Sequence, residues 1–167
     1  MQKGFTVIEL LIVIVVIGIL ASIGIVSYNG FQKRANDTAV QADLESIAGE
    51  LEAFRTRTDI DNPSHYFPAN ATDLGKIEIQ AAKASYDTAL SYNLIYCVKT
   101  TGTDPYQEFK LLAKSKSGGI YLMTESGFAT HSFTASNFTN TFCSTQTMTQ
   151  VSGMTSGPTW ASWVATS

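Results

Sequence analysis

Few side chains in this 167-residue chain have the type and spacing to do chemistry. Glu9 stands at the head of an apolar run, where a carboxylate at membrane depth costs about 2.5–3.5 kcal/mol unless it is paired. Cys97 and Cys143 are the only cysteines and could form a single bridge. His65 and His131 lie far apart in the chain, a poor basis for a metal site or an acid–base pair; packed or surface roles suit both better. No glycine-rich phosphate loop, paired-cysteine metal spacing or zinc-protease helix motif is present. Ser and Asp are abundant, but abundance defines no triad without geometry. The inventory argues against an enzyme and implies no cofactor.

The element that must position Glu9 is the stretch that follows it. Leu10–Val26 carries no charge, and the charge-free run extends to Gln32. As a helix it would be on the order of 35 Å long, enough to cross a bilayer core. Its β-branched content suggests strand, but strands stop at about ten residues. A secretory signal peptide would have a shorter apolar region and no acid near its start. A plain membrane anchor fits the length and leaves Glu9 unexplained. A buried core helix would be amphipathic, and this run is apolar all round.

The pattern Lys3-Gly4-Phe5-Thr6-Val7-Ile8-Glu9-Leu10, followed by the apolar run with Gly18-Ile19-Leu20-Ala21, Tyr28 and Lys33-Arg34-Ala35, resembles the start of type IV pilins and the related pseudopilins. The resemblance is close over residues 1–35 and architectural beyond them. It implies a leader, 1–4, cut by a prepilin peptidase between Gly4 and Phe5, N-methylation of Phe5, and a role for Glu9 in assembly. It departs from many members at Val26, where a proline is common, which leaves Gly18 and Gly24 as points where the helix could bend.

The net charge of −3 and the charged fraction of 15% argue against a nucleic-acid-coating protein, which is normally basic. Loss of Lys3 with the leader would take the side-chain sum to −4. Lys3 places the amino terminus in the cytoplasm by the positive-inside rule, and the remaining domain outside. Lys33 and Arg34 then lie beyond the outer face, read as solvated charges ending the apolar segment.

Past the membrane segment, 5–32, the helix continues as an amphipathic half, 33–57. Val40, Leu44, Ile47, Leu51 and Phe54 form one apolar stripe at helical spacing, with Gln41, Asp43, Glu45, Glu50, Glu52, Arg55 and Arg57 on other faces. Asn36-Asp37-Thr38 is a weak spot, since these side chains compete for backbone hydrogen bonds. Gly49 costs about 1 kcal/mol against Ala. A helix from Phe5 to about Arg57 would reach roughly 80 Å. Thr58-Asp59-Ile60-Asp61-Asn62-Pro63 should end it. A connecting region, 58–91, holds a short helix or extended stretch in Thr72-Asp73-Leu74 and Ile77–Ser85.

From Tyr92 the period changes to two. Strands are expected at Tyr92–Thr100, Glu108–Lys114, Ile120–Thr124 and Phe128–Phe133. Turns fall at Gly102-Thr103-Asp104-Pro105, Lys116-Ser117-Gly118-Gly119 and Ser126-Gly127. The fold class is therefore α+β: a long N-terminal helix, membrane-spanning in its first half, packed on an antiparallel sheet, 92–133. The segment 134–167 is rich in Ser and Thr, with Phe138, Phe142, Trp160 and Trp163, and should pack on the sheet without regular structure. Its aromatics cover the sheet end, present a neutral surface to neighbouring subunits, or form an adhesive patch. A Cys97–Cys143 bridge would close a loop of about 47 residues, worth at most ~4 kcal/mol; a reduced buried pair is the alternative, since spacing does not show proximity.

The resemblance implies a structural subunit of a type IV pilus-like filament, homo-polymeric through its N-terminal helices. Its other partners would be the prepilin peptidase, the inner-membrane assembly machinery and, before assembly, the membrane. The filament would then lie outside the cell or in the periplasm. The alternatives are a pseudopilin of a type II secretion system, or a minor tip pilin for adhesion or DNA capture.

Overall fold

The computed structural model describes residues 4–57, 65–102, 105–155, 160 and 164–166, the side chains of 23–27, 152–155 and 165–166 excepted. Several expectations lie outside the described residues: the leader before Gly4, the helix-ending turn Thr58–Pro63, the turn residues Thr103 and Asp104, the surroundings of Gly24 and Val26, and Trp163. The chain divides into two compact units at Arg34/Ala35.

Helix α1 spans Val7–Arg55. In the first unit its described side chains are exposed, apolar or not. Among the described residues no helix is long and apolar enough to cross a membrane; the expected span, Leu10–Val26, runs into 23–27, whose side chains are not among them. In the second unit Val40, Leu44, Ile47, Leu51 and Phe54 are each at most 2% exposed, so the stripe read from the sequence is the buried face. Helical geometry stops at Arg55, whose guanidinium pairs with Glu52 at 2.8 Å.

Four strands follow in an antiparallel meander: β2 (Tyr92–Val98), β3 (Phe109–Lys114), β4 (Ile120–Thr124) and β5 (Gly127–Phe128). The last is two residues long rather than the six expected: beyond it the Ala129 N–H still reaches Leu122 O at 2.9 Å, and the next tie to β4 is a side chain, His131 on Ile120 O, not a backbone ladder. The C-terminal segment supplies what the sequence reading did not place. Strand β6 (Thr149–Thr155) pairs antiparallel with β2 at the other edge, giving the order β5-β4-β3-β2-β6. Strand β7 (Val164–Thr166) pairs parallel with β1 (Ile79–Ala81), within the connecting region. That region also holds the short helix α2 (Ala71–Leu74), capped by Asn70 through its side-chain oxygen on Asp73 N–H at 2.9 Å.

The sheet is buried on both sides, so Asn93–Val98 of β2 are all buried rather than alternating. Leu94, Tyr96, Val98, Leu111 and Ala113 face α1 in one core. Ile95, Cys97, Leu112 and Leu122 form a second core with Phe138, Phe142, Cys143 and Met148, the last group from the segment that wraps the outer face and includes helix α3 (Phe142–Thr145).

Asp37 reverses the expectation of a weak spot. Its carboxylate Oδ1 accepts hydrogen bonds from Ser115 Oγ and Ser117 Oγ at the β3–β4 turn, and Tyr121 is a further donor. At the neighbouring Gly119 a Cβ would stand 2.5 Å from the Tyr121 hydroxyl and 2.7 Å from the Asp37 carboxylate, so a larger residue would displace these two side chains. The polar side chains thus tie helix to sheet rather than competing for the helix's own backbone.

Candidate functional site

Gly4, Phe5 and Thr6 precede the helix in non-helical conformation, and Phe5 is 87% exposed. Thr6 caps α1. Its N–H and its hydroxyl both donate to Glu9 Oε2, at 2.8 and 2.7 Å, and its Oγ1 in turn accepts from Glu9 N–H at 3.3 Å. This is a reciprocal capping box, the S/T-x-x-E pattern that satisfies amide donors at a helix start. The sequence reading treated Glu9 as a charge in search of a partner and missed this role, although Thr6-Val7-Ile8-Glu9 spells it. A carboxylate in the first turn also sits at the positive end of the helix dipole. Oε1 accepts no hydrogen bond among the described residues, so the charge is anchored by one oxygen.

The glycines of this segment have no explanation within the chain. A Cβ at Gly4 or at Gly18 would meet no atom within 4 Å, and neither residue has a left-handed backbone. In mid-helix Gly18 costs about 1 kcal/mol relative to Ala. The apolar side chains tell the same story: Val7, Ile8, Leu10–Ile17, Ile19 and Leu20 are 48–84% exposed. A patch this large on a lone chain marks a contact surface. Whatever selects small residues at 4 and 18 and apolar ones between must lie outside the protomer.

The other sequence-predicted positions are elsewhere. Cys97, on β2, and Cys143, on α3, both in the second unit, are joined as a disulfide with Cα atoms 5.4 Å apart. His65 places Nδ1 3.2 Å from Arg55 O, at the carboxyl end of α1. His131 packs flat on Phe133, donates from Nε2 to Ile120 O at 2.8 Å and accepts Phe133 N–H on Nδ1. Among the described residues no three His, Cys, Asp or Glu side chains converge as metal ligands would.

Residues 1–25 match the family described as the prokaryotic N-terminal methylation motif. The chain is homologous to type IV pilins and type II secretion pseudopilins. It is 27% identical over 126 residues to "Type II secretion system core protein G" of Escherichia coli (strain K12), covering 75% of this chain and 81% of that protein. The Klebsiella pneumoniae protein of the same name is 28% identical over 120 residues, 71% and 80% of the two chains. "Type IV wide pilus major component PilA4" of Thermus thermophilus is 48% identical over 63 residues, but these make up 38% of this chain and 45% of that one. No solved structure matches. Pilins and pseudopilins are structural rather than enzymatic proteins, and the homology implies a processed precursor and filament assembly.

Proposed function

We propose that this chain is a subunit of a type IV pilus-like filament, held in the membrane by Leu10–Val26 until assembly. It is cut between Gly4 and Phe5, methylated at the Phe5 amine and polymerised through the segment 5–32. The observation that carries this reading is the exposed apolar surface of α1 from Val7 to Leu20, headed by a carboxylate already fixed at the helix start. Cleavage releases an ammonium at Phe5. The Glu9 carboxylate, pinned through Oε2 to its own Thr6, would present Oε1 to the Phe5 amine of a neighbouring subunit. In a low-dielectric filament core that attraction is far stronger than in water, and it would fix the axial stagger of helices that could otherwise slide. N-methylation leaves the amine charged and so preserves the pair.

A pseudopilin role in type II secretion is the second reading, supported by the reach of the core protein G similarity, which covers most of both chains while the PilA4 similarity covers less than half of each. Abundant surface fibres separate the pilus from the pseudopilus, whose loss would instead stop exoprotein secretion.

The test is made on cells. Intact mass of the membrane-extracted protein should show loss of Met1–Gly4 and one added methyl, and Gly4→Val should leave the full-length precursor. Glu9→Ala should be inserted and cut, yet form few or no filaments, with Glu9→Asp intermediate. Normal filament number in Glu9→Ala cells would overturn the pairing, and a mature protein beginning after Ala21 would overturn the whole reading.

A further inference from the structure

Most cations of the second unit are already engaged. Arg55, Lys76, Lys99 and Lys114 each pair with a carboxylate, and Lys83 and Lys110 each donate to an uncharged oxygen. Lys33 and Arg34 differ. Both are exposed on α1, and among the described residues no carboxylate pairs with either. Their natural partner would be Asp37, about one turn further along the same helix, where opposite charges ordinarily meet. Its carboxylate turns to the Ser115 and Ser117 hydroxyls instead. The nearest acid before them, Glu9, is a whole apolar run away. Just before the pair stand Tyr28 and Phe31, 63% and 68% exposed, and Gln32 Nε2 donates to the Tyr28 hydroxyl at 2.8 Å. Two free cations thus follow two free aromatic rings at the end of the charge-free stretch.

We propose that Lys33 and Arg34 form a collar that binds the phosphates of anionic phospholipid headgroups and so holds the unassembled subunit to the outer leaflet. The inference rests on the membrane reading of Leu10–Val26. Lys33 lies 24 residues after Glu9, a rise of about 36 Å on a helix, against a hydrocarbon core of about 30 Å. With Glu9 at one interface, the two cations reach the headgroup layer of the other. Tyr28 then falls at the boundary where amphipathic rings are favoured, with Phe31 beside it on the same helix face. Arg34 offers a planar fork that fits a phosphate, and Lys33 a point charge next to it. Cations at this end also oppose the orientation that Lys3 sets. A charge kept there without a carboxylate remains available to a ligand. The ligand is an anionic lipid because a zwitterionic headgroup carries its own cation beside the phosphate. The chain is acidic overall, so attraction to such a surface is confined to the collar.

The test uses the full-length chain in neutral detergent micelles that hold equal amounts of phosphatidylglycerol and phosphatidylcholine. Native mass spectrometry counts the lipids that stay bound. Wild type should retain phosphatidylglycerol about tenfold over phosphatidylcholine, the scale expected of two cations. Lys33→Gln/Arg34→Gln should lower that preference about fivefold or more with the melting temperature unchanged. The charge-keeping exchange Lys33→Arg/Arg34→Lys should retain most of it. Lys116→Gln, at an exposed cation of the β3–β4 turn, should leave it as in wild type. Equal retention of both lipids by wild type, or an unchanged preference in the Gln pair, would overturn the proposal. A loss in the exchange variant as large as in the Gln pair would also overturn it. So would loss of the preference in excess inorganic phosphate, which would mark a site for the free anion. If the Gln pair kept its lipid preference and lost filaments, the cations would serve a neighbouring subunit's carboxylate and the proposal would fall. A chain that stays dissolved without detergent would overturn the membrane reading itself, and this inference with it.

Discussion

On one face of the sheet the core is built around a long helix whose buried residues recur every three or four positions; on the other lies a cap, a wrap with no period, held by a disulfide. The helix side places Val40, Leu44, Ile47, Leu51 and Phe54 by geometry alone, because residues on one face of a helix are in line before they meet the sheet. The cap side has to bring Phe138, Phe142, Cys143 and Met148 together through a 3₁₀ turn at Ala135–Asn137, the four-residue helix α3 and Thr147, whose φ is +55°. Nothing in its backbone repeats, so the bond from Cys143 to the central strand fixes what periodicity fixes on the other side. A core can be closed by regularity or by a covalent tie, and this one uses both.

The comparison can be broken most forcefully from the helix side. Leu44→Ala, at a fully buried position, should cost about 2–5 kcal/mol and lower the melting temperature of the whole second unit. A loss confined to the cap would contradict the central place given to the stripe. Removing the bridge with Cys97→Ser/Cys143→Ser should cost about 2–4 kcal/mol. In the double variant limited proteolysis should cut first within 129–148, and first cuts within 35–55 would show that the disulfide serves the helix side instead.

A smaller effect sharpens the picture within the helix side, where two carboxylates of α1 titrate in opposite senses. Burial pushes Asp37 up, but the hydroxyls of Ser115, Ser117 and Tyr121 outweigh it and hold the carboxyl below the ordinary range. Burial pushes Asp43 up, and the Ala82 N–H, at 2.8 Å, offsets it only in part. A lowered folded-state pKa gives stability that is present above the unfolded value, about 3.9, and lost as pH falls through the folded one. A raised one gives stability present below about 3.9 and lost as pH rises through the folded value. Asp37→Asn should therefore destabilise at pH 7 by about 1 kcal/mol, with the difference from wild type shrinking below pH ~4. Asp43→Asn should melt higher than wild type at pH 7, with that gain vanishing below pH ~4. Thermal melts of both variants across this range check the signs, and parallel curves would refute them.

The same contrast explains what could be read in advance. The stripe on α1 and the strands β2 to β4 were legible because each is a local period, and the burial of β2 on both faces follows from its apolar residues at odd and even positions alike. Strands β6 and β7 were not, since Thr-Gln-Val-Ser-Gly-Met-Thr is strand only by virtue of the β2 edge it meets. Two cysteines admit one pairing, yet only the fold brings Cys97 and Cys143 within reach. Asp37 looked like a helix breaker because its partners, Ser115 and Ser117, are remote in the chain. At the candidate site the Gly4-Phe5 step and Glu9 stood out as a pattern, which the methylation-motif match covers. The Thr6 box was equally visible and was passed over because the apolar run around it drew a membrane reading first.

Strand β2 lies between β3, which follows it directly, and β6, which arrives only after the whole cap has been made. During synthesis the meander β2–β5 can close while the ribosome still holds the remainder, but the far edge of β2 stays unpaired until Thr149–Thr155 emerge. Its outer face meanwhile awaits Phe138, Phe142 and Met148. A nascent chain at this stage offers an open strand edge beside uncovered apolar surface, the combination most prone to capture by another chain. That edge and that face are closed only when the cap and β6 are in place. Truncations within the cap should accordingly aggregate or be degraded rather than persist as smaller folded subunits.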